Sequence, residues 1–211
     1  MVNLRLPFRF FAAVLLALAA HAGAQSTAPT LLVVGDSISA GYGLARGEGW
    51  VDLLAARLAE QGRRERVVNA SISGDTTAGG RARLPALLRE HRPSIVVIEL
   101  GGNDALRGGN LQATRENLDA MVAAAQAARA KVLIVGMKVP PNYGPAYART
   151  FDAVFTEVAK ARHAPVVPYV FAGFGEDLTQ FQADRIHPTA AAQQRILDNV
   201  WPALLPLLAK R

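Results

Sequence analysis

The chain alternates short apolar runs with longer stretches in which apolar residues recur every three or four positions. The apolar runs are Leu31–Val34, Val67–Asn69, Ile95–Leu100, Val132–Val135 and Val166–Tyr169. Each is rich in β-branched residues and shows little polar alternation, which is the pattern of strands buried on both faces. The stretches between them read as helices. Trp50–Gln61 places Val51, Leu54 and Leu58 on one face and stops at Gly62; Thr76–Glu90 aligns Leu84, Leu87 and Leu88. Leu111–Arg129 aligns Leu118, Met121, Val122 and Ala125, and Pro145 suits the first turn of a helix through Phe151, Val154, Phe155 and Val158. A last helix is predicted from near Pro188 toward Leu207, with Pro202 and Pro206 expected to bend or break it.

A strand–helix repeat with crossovers of this length predicts an α/β fold, a parallel sheet with helices on both faces. No composition shift, linker or internal repeat marks a second domain. In such open sheets ligands bind beyond the carboxyl ends of the strands. Functional chemistry is therefore expected just after the apolar runs.

The first residues break the pattern. Arg5 and Arg9 precede the apolar run Phe10–Ala20, and Ala22-Gly23-Ala24 fits a small-x-small cleavage pattern before Gln25, with Ala20-His21-Ala22 as the alternative. A charged segment, a short apolar segment and small residues predict a secretory signal peptide over residues 1–24. The run has about half the roughly 20 apolar residues that spanning a bilayer requires, so no stable membrane anchor is expected. Residues 25–211 then form one domain that works in the periplasm or outside the cell.

Composition narrows the function classes. With 51% hydrophobic and 19% charged residues the chain reads as globular. It has no cysteine, which excludes disulfides, thiolate metal sites, a cysteine nucleophile and a lipidated N-terminal cysteine. The formal charge of +6 invites a nucleic-acid partner, but removing Arg5 and Arg9 leaves 21 basic against 17 acidic residues. The rest are scattered apart from Arg63-Arg64-Glu65-Arg66, with no basic stripe interleaved with aromatics, so no nucleic acid is expected. Walker loops, a Gly-x-Gly-x-x-Gly after the first strand and metal-ligand spacings such as His-Glu-x-x-His are absent, so neither metal nor organic cofactor is expected. Nothing demands more than a monomer.

Polar clusters follow the predicted strands. Gly35-Asp36-Ser37-Ile38-Ser39 follows the first, Ala70-Ser71-Ile72-Ser73-Gly74-Asp75-Thr76 the second, and Gly101-Gly102-Asn103-Asp104 the third. Asp184-Arg185-Ile186-His187-Pro188 comes just before the last helix. A serine hydroxyl is a weak nucleophile and needs a base. His21 leaves with the signal, and His91 and His163 close helices at the opposite end of the strands, where they read as helix-end groups. That leaves His187. Asp184, three residues earlier, is close enough to accept from the imidazole and fix its tautomer, although an Asp-x-x-His pair alone recurs by chance at helix starts and gains weight only from the other clusters. Acyl transfer also needs donors for a developing oxyanion. Gly74 and Asn103 are candidates, although in isolation Gly74 reads better as an ordinary turn glycine and Asn103 as a turn residue or helix cap. The absence of any Gly-x-Ser-x-Gly counts against the α/β-hydrolase elbow.

Together these clusters resemble the blocks of the SGNH (GDSL-type) hydrolase family. Gly35-Asp36-Ser37 resembles the first block, Gly74 the second, Gly102-x-Asp104 around Asn103 the third, and Asp184-x-x-His187 the fifth. Within the family, the stretches around Ser37, Gly74 and Asn103, together with Pro140-x-Asn142-Tyr143-Gly144 and Ile186-His187-Pro188, are most similar to periplasmic multifunctional thioesterase–protease–lysophospholipases and bacterial arylesterases. The resemblance implies a flavodoxin-like three-layer α/β/α fold with a five-stranded parallel sheet. It implies Ser37 as nucleophile, His187 as general base then acid, and Asp184 as orienting carboxylate. The implied oxyanion hole is the Ser37 and Gly74 N–H groups with the Asn103 amide. Asp36 is expected to hold its turn and take no part in the chemistry. The loop Asp104–Asn110 resembles the family's mobile substrate loop, so Asp104 and Leu106, with Val139, Pro140 and Tyr143, are candidate substrate contacts.

The expected activity is hydrolysis of acyl esters and thioesters through an acyl-enzyme, with a small-molecule substrate that includes lysophospholipid among the options. The same site could serve a carbohydrate O-deacetylase. A non-catalytic extracellular binding domain is the reading from another class, and the complete set of Ser37, Gly74, Asn103, Asp184 and His187 argues against it.

Overall fold

A computed structural model describes residues 28–208, so the expected signal peptide lies outside the described residues. Five parallel strands, β1 (Thr30–Gly35), β2 (Arg66–Asn69), β3 (Ile95–Glu99), β4 (Lys131–Val135) and β5 (Val166–Val167), form a sheet in the order β2-β1-β3-β4-β5. This is the flavodoxin-like order, and the chain reverses direction across the sheet between β1 and β3, which opens a crevice at their carboxyl ends. Register runs from Leu31 beside Ile95 to Gly35 beside Glu99, so the turn that carries Ser37 and the end of β3 emerge side by side.

The helices are α1 (Ser37–Ala40), α2 (Trp50–Glu60), α3 (Thr77–His91), α4 (Gly102–Leu106), α5 (Leu111–Ala127), α6 (Pro145–Arg162) and α7 (Ala190–Leu204). Helices α2 and α7 pack together on one face of the sheet; α3, α5 and α6 pack in sequence on the other. The central strands β1 and β3 are wholly buried between these layers, as their unbroken apolar runs require. Trp50, Phe151 and Phe155 are fully enclosed, and the two phenylalanine rings meet edge to face at 5.1 Å. Such a pair adds about 0.5–1.5 kcal/mol beyond the area it buries.

Several expectations change. The edge strand β2 is half-exposed, not buried on both faces, because only β1 flanks it. Strand β5 ends at Val167 and not at Tyr169, since Pro168 has no N–H to extend the ladder. Pro202 lies inside α7 without breaking it; the helix ends two residues later and passes into a 3-10 turn, Leu205–Leu207, that holds Pro206. Helices α1 and α4 span 4 and 5 residues, too short to leave an apolar period in the sequence.

Candidate active site

Asp36 caps α1, its Oδ1 accepting the Ile38 N–H at 3.0 Å, and so sets Ser37 at the first helical position on the rim of the sheet. The Ser37 hydroxyl lies 2.8 Å from His187 Nε2, and His187 Nδ1 lies 2.7 Å from Asp184 Oδ2. Residues 150 positions apart in the chain thus form one unbroken relay. The expected Ser37, His187 and Asp184 are brought together. His91 and His163 are not: they are the last residue of α3 and the C-cap of α6.

His187 arrives on a self-braced loop. Asp184 Oδ1 accepts the N–H groups of Ile186 and His187 at 2.9 and 3.0 Å. Arg185 between them adopts φ +60°, a left-handed turn that brings Asp184 and His187 to face each other. The loop closes on itself through Gln182 N–H to His187 O at 2.7 Å, and Gln182 Nε2 donates to Tyr42 O at 2.8 Å. The Tyr42 ring then packs on the His187 imidazole with centroids 4.4 Å apart. Partial desolvation opposes ionisation of Asp184, but hydrogen bonds from the His187 N–H and ring and the Ile186 N–H outweigh it and hold the carboxyl down to about 2.

The oxyanion candidates differ in readiness. Among the described residues neither the Ser37 nor the Gly74 N–H has an acceptor in the protein, and both are free for a ligand. Gly74 has φ +80°, which a residue with a Cβ adopts only under strain. Asn103 Nδ2 lies 3.1 Å from Asp36 Oδ2 and 3.0 Å from Asp75 O, so both of its hydrogens already have acceptors. An oxyanion would have to share one of them.

The expected substrate contacts scatter. Asp104 is occupied as a brace between helices, its Oδ2 accepting Thr77 N–H at 2.9 Å and its Oδ1 the Thr77 hydroxyl at 2.5 Å. That use turns its carboxylate toward α3. Leu106 is exposed at the end of α4, and Tyr143 Oη donates to its carbonyl at 2.9 Å, tying the β4–α6 loop to α4. Val139 lines a cleft of about 360 Å³ with Lys138, Pro145, Ala148, Arg149 and Asp152, which contains no member of the relay. Pro140 is exposed next to it. Among the described residues no three or more His, Asp or Glu side chains converge as a metal site.

Sequence reasoning missed the groups that hold the site from beneath. Arg83 pairs with Asp75 at 2.8 Å and donates to the carbonyls of Ala70, just past β2, and Gly35, the end of β1. Glu99 is completely buried, with Oε2 accepting the Ser39 hydroxyl at 2.7 Å and the Asp36 N–H at 3.4 Å. Burial, then the neighbouring Asp36 charge, pushes the Glu99 carboxyl well above its ordinary range. Burial also raises Asp36, to about 6, against the opposing pull of the Ile38 N–H, the His187 charge and the Asn103 amide. For Glu99 the sequence did hold a signal: a lone charge inside an otherwise apolar strand.

A serine hydroxyl on an imidazole that is itself held by a carboxylate, at the carboxyl ends of a parallel sheet, is the constellation of a serine hydrolase. The GDSL-like lipase/acylhydrolase family model matches residues 33–195. The chain is 56% identical to esterase TesA of Pseudomonas aeruginosa over 184 residues, covering 87% of this chain and 92% of that protein. It is 41% identical to the thioesterase 1/protease 1/lysophospholipase L1 of Escherichia coli over 203 residues, covering 96% and 93%. The crystal structure of the psychrotrophic esterase EstA from Pseudoalteromonas sp., inhibited by monoethylphosphonate, superposes with a TM-score of 0.80 at 37% identity, covering 84% of this chain and 97% of that one. The chain belongs to the GDSL-like lipase/acylhydrolase family, and it is a serine ester hydrolase.

Proposed function

We propose that the protein is an exported esterase and thioesterase that cleaves acyl esters by two-step acyl transfer. The observation that supports this most strongly is the continuous relay Ser37–His187–Asp184, at 2.8 and 2.7 Å, beside two uncommitted N–H groups. Ser37 Oγ attacks the carbonyl while His187 Nε2 takes its proton. Asp184 fixes the imidazole tautomer and stabilises the imidazolium that forms. The Ser37 and Gly74 N–H groups receive the oxyanion, and Asn103 joins by sharing a hydrogen now given to Asp36 or Asp75. His187 then returns the proton to the leaving alcohol or thiol. Water, deprotonated by the same histidine, releases the acid and restores Ser37.

The names of the relatives support ester and thioester substrates of small size, lysophospholipid among them. The exposed apolar Leu106, at the end of the short helix that carries Asn103, favours an acyl chain over a sugar. Export rests on the signal-like residues 1–24, the mature chain then beginning near Gln25 and acting as a monomer in the periplasm or medium. Among the described residues no helix is long and apolar enough to cross a membrane.

The test is a rate series on p-nitrophenyl esters from acetate to palmitate, beside palmitoyl-CoA and a lysophospholipid, with Ser37→Ala and His187→Ala as controls. A rate that peaks at medium or long chains and vanishes in both controls is expected. Activity confined to acetate esters would move the reading to a deacetylase.

A further inference from the structure

A glutamate buried in the middle of a protein without an ion-pair partner needs a reason. Glu99 is the last residue of β3 and fully buried, and among the described residues no Lys, Arg or His pairs with it. Its nearest charged neighbour is another carboxyl, Asp36, which is itself 2% exposed. Its Oε1 has no hydrogen-bond partner. An ionised carboxylate in that setting would be prohibitively desolvated, whereas a neutral carboxylic acid keeps Oε2 as the acceptor and leaves a single unpaired O–H at Oε1, a much smaller cost.

The contacts that Glu99 does make all lie on one short segment. Its Oε2 receives the Ser39 hydroxyl at 2.7 Å and the Asp36 N–H at 3.4 Å, the residues on either side of Ser37 and Ile38. The chain is cut to fit this approach: a Cβ on Gly35 would stand 2.8 Å from Glu99 Oε2 and 2.7 Å from Ser39 Oγ. Asp36 in turn holds the Ile38 N–H and the Asn103 amide. One buried side chain therefore anchors the turn that presents Ser37, and through Asp36 it reaches Asn103.

We infer that Glu99, in its neutral form, is a positioning residue for the nucleophile turn and the oxyanion donors built on it. It touches no reacting atom. Its effect is geometric: an error of about 1 Å in a reacting group costs on the order of 100-fold in rate. Substrate binding, which draws on the outer loops, is left alone. The inference rests on the reading of Ser37 as nucleophile, which stands or falls separately with Ser37→Ala.

The test compares kcat, KM and thermal melting for Glu99→Leu, Glu99→Gln and Ser39→Ala on one soluble p-nitrophenyl ester. Glu99→Leu, folded, should lose about 10- to 100-fold in kcat with KM within about 3-fold of wild type. Glu99→Gln keeps an uncharged acceptor of the same shape and should restore kcat to within about 3-fold, even if it melts lower. Ser39→Ala removes the shorter contact and should lower kcat about 3- to 10-fold, which keeps the inference testable if Glu99→Leu does not fold. Wild-type kcat in a folded Glu99→Leu or in Ser39→Ala would overturn it. So would a Glu99→Gln enzyme as slow as Glu99→Leu, since that would make the charge and not the shape the working property.

Discussion

Two carboxyl environments flank Ser37, and they are opposites. Beneath Ser37, Asp36 and Glu99 are buried without an ion-pair partner among the described residues, and burial pushes both carboxyls upward, Asp36 to about 6. Across the cleft Asp184 sits on an exposed loop, and hydrogen bonds from its own next few residues hold it down to about 2. The difference teaches how the labour is divided. The nucleophile side is a rigid platform at the end of the sheet, its acids spent on shape. The base side is a surface loop that must keep one full negative charge facing an imidazole, and it achieves this by local bonding, not burial.

The largest effect should come from destroying the charge on the exposed side. Asp184→Asn keeps an oxygen for the Ile186 and His187 N–H groups but offers an amide where the imidazole needs an acceptor, which favours the wrong tautomer. The expected loss in kcat is on the order of 10⁴ at neutral pH, with an unchanged melt; a loss below about tenfold would show that the two sides do not differ in this way.

The buried side is sharpened by pH. The folded state holds the Asp36 proton to about 6, whereas the unfolded chain releases it near 3.8. Its contribution to stability is therefore present below about 4 and lost as pH rises through about 6. Asp184 behaves inversely, its contribution present above about 4 and lost as pH falls toward about 2. Asp36→Asn removes the first slope. Between pH 4 and 7 the variant should gain on the order of 2 kcal/mol on wild type, read by urea unfolding at both pH values. A difference independent of pH would mean that Asp36 titrates normally.

The smallest effect tests the loop's backbone. Arg185 holds φ +60° between Asp184 and His187, a region that glycine enters without cost. Arg185→Gly should change stability by no more than about 1 kcal/mol and leave kcat as it was. A large fall in kcat would assign the Arg185 side chain a part in the site.

The same contrast explains what the sequence disclosed. The apolar runs disclosed β1, β3 and β4, because strands buried on both faces leave few polar positions, Glu99 being the exception in β3. The edges were harder: β2 is half-exposed and β5 is cut short by Pro168. The relay was legible because its members stand at strand ends or just before α7, where a parallel sheet must place its chemistry. The supports were not. Arg83, Tyr42 and Gln182 act through contacts 48, 145 and 140 residues away in sequence, to Gly35, His187 and Tyr42, and no periodicity encodes such distances. Asp104 illustrates the converse, a residue that local context placed on a substrate loop while its carboxylate serves Thr77.

The central claim is that Ser37 accepts the acyl group because His187 takes its proton. It is tested most directly by reacting the protein with a p-nitrophenyl alkylphosphonate, then locating and timing the adduct by peptide mass spectrometry. One adduct per chain on the peptide that contains Ser37 is expected, absent in Ser37→Ala and formed at least about 100-fold more slowly in His187→Ala. An adduct on another residue, or labelling of Ser37 at an undiminished rate without His187, would contradict the account.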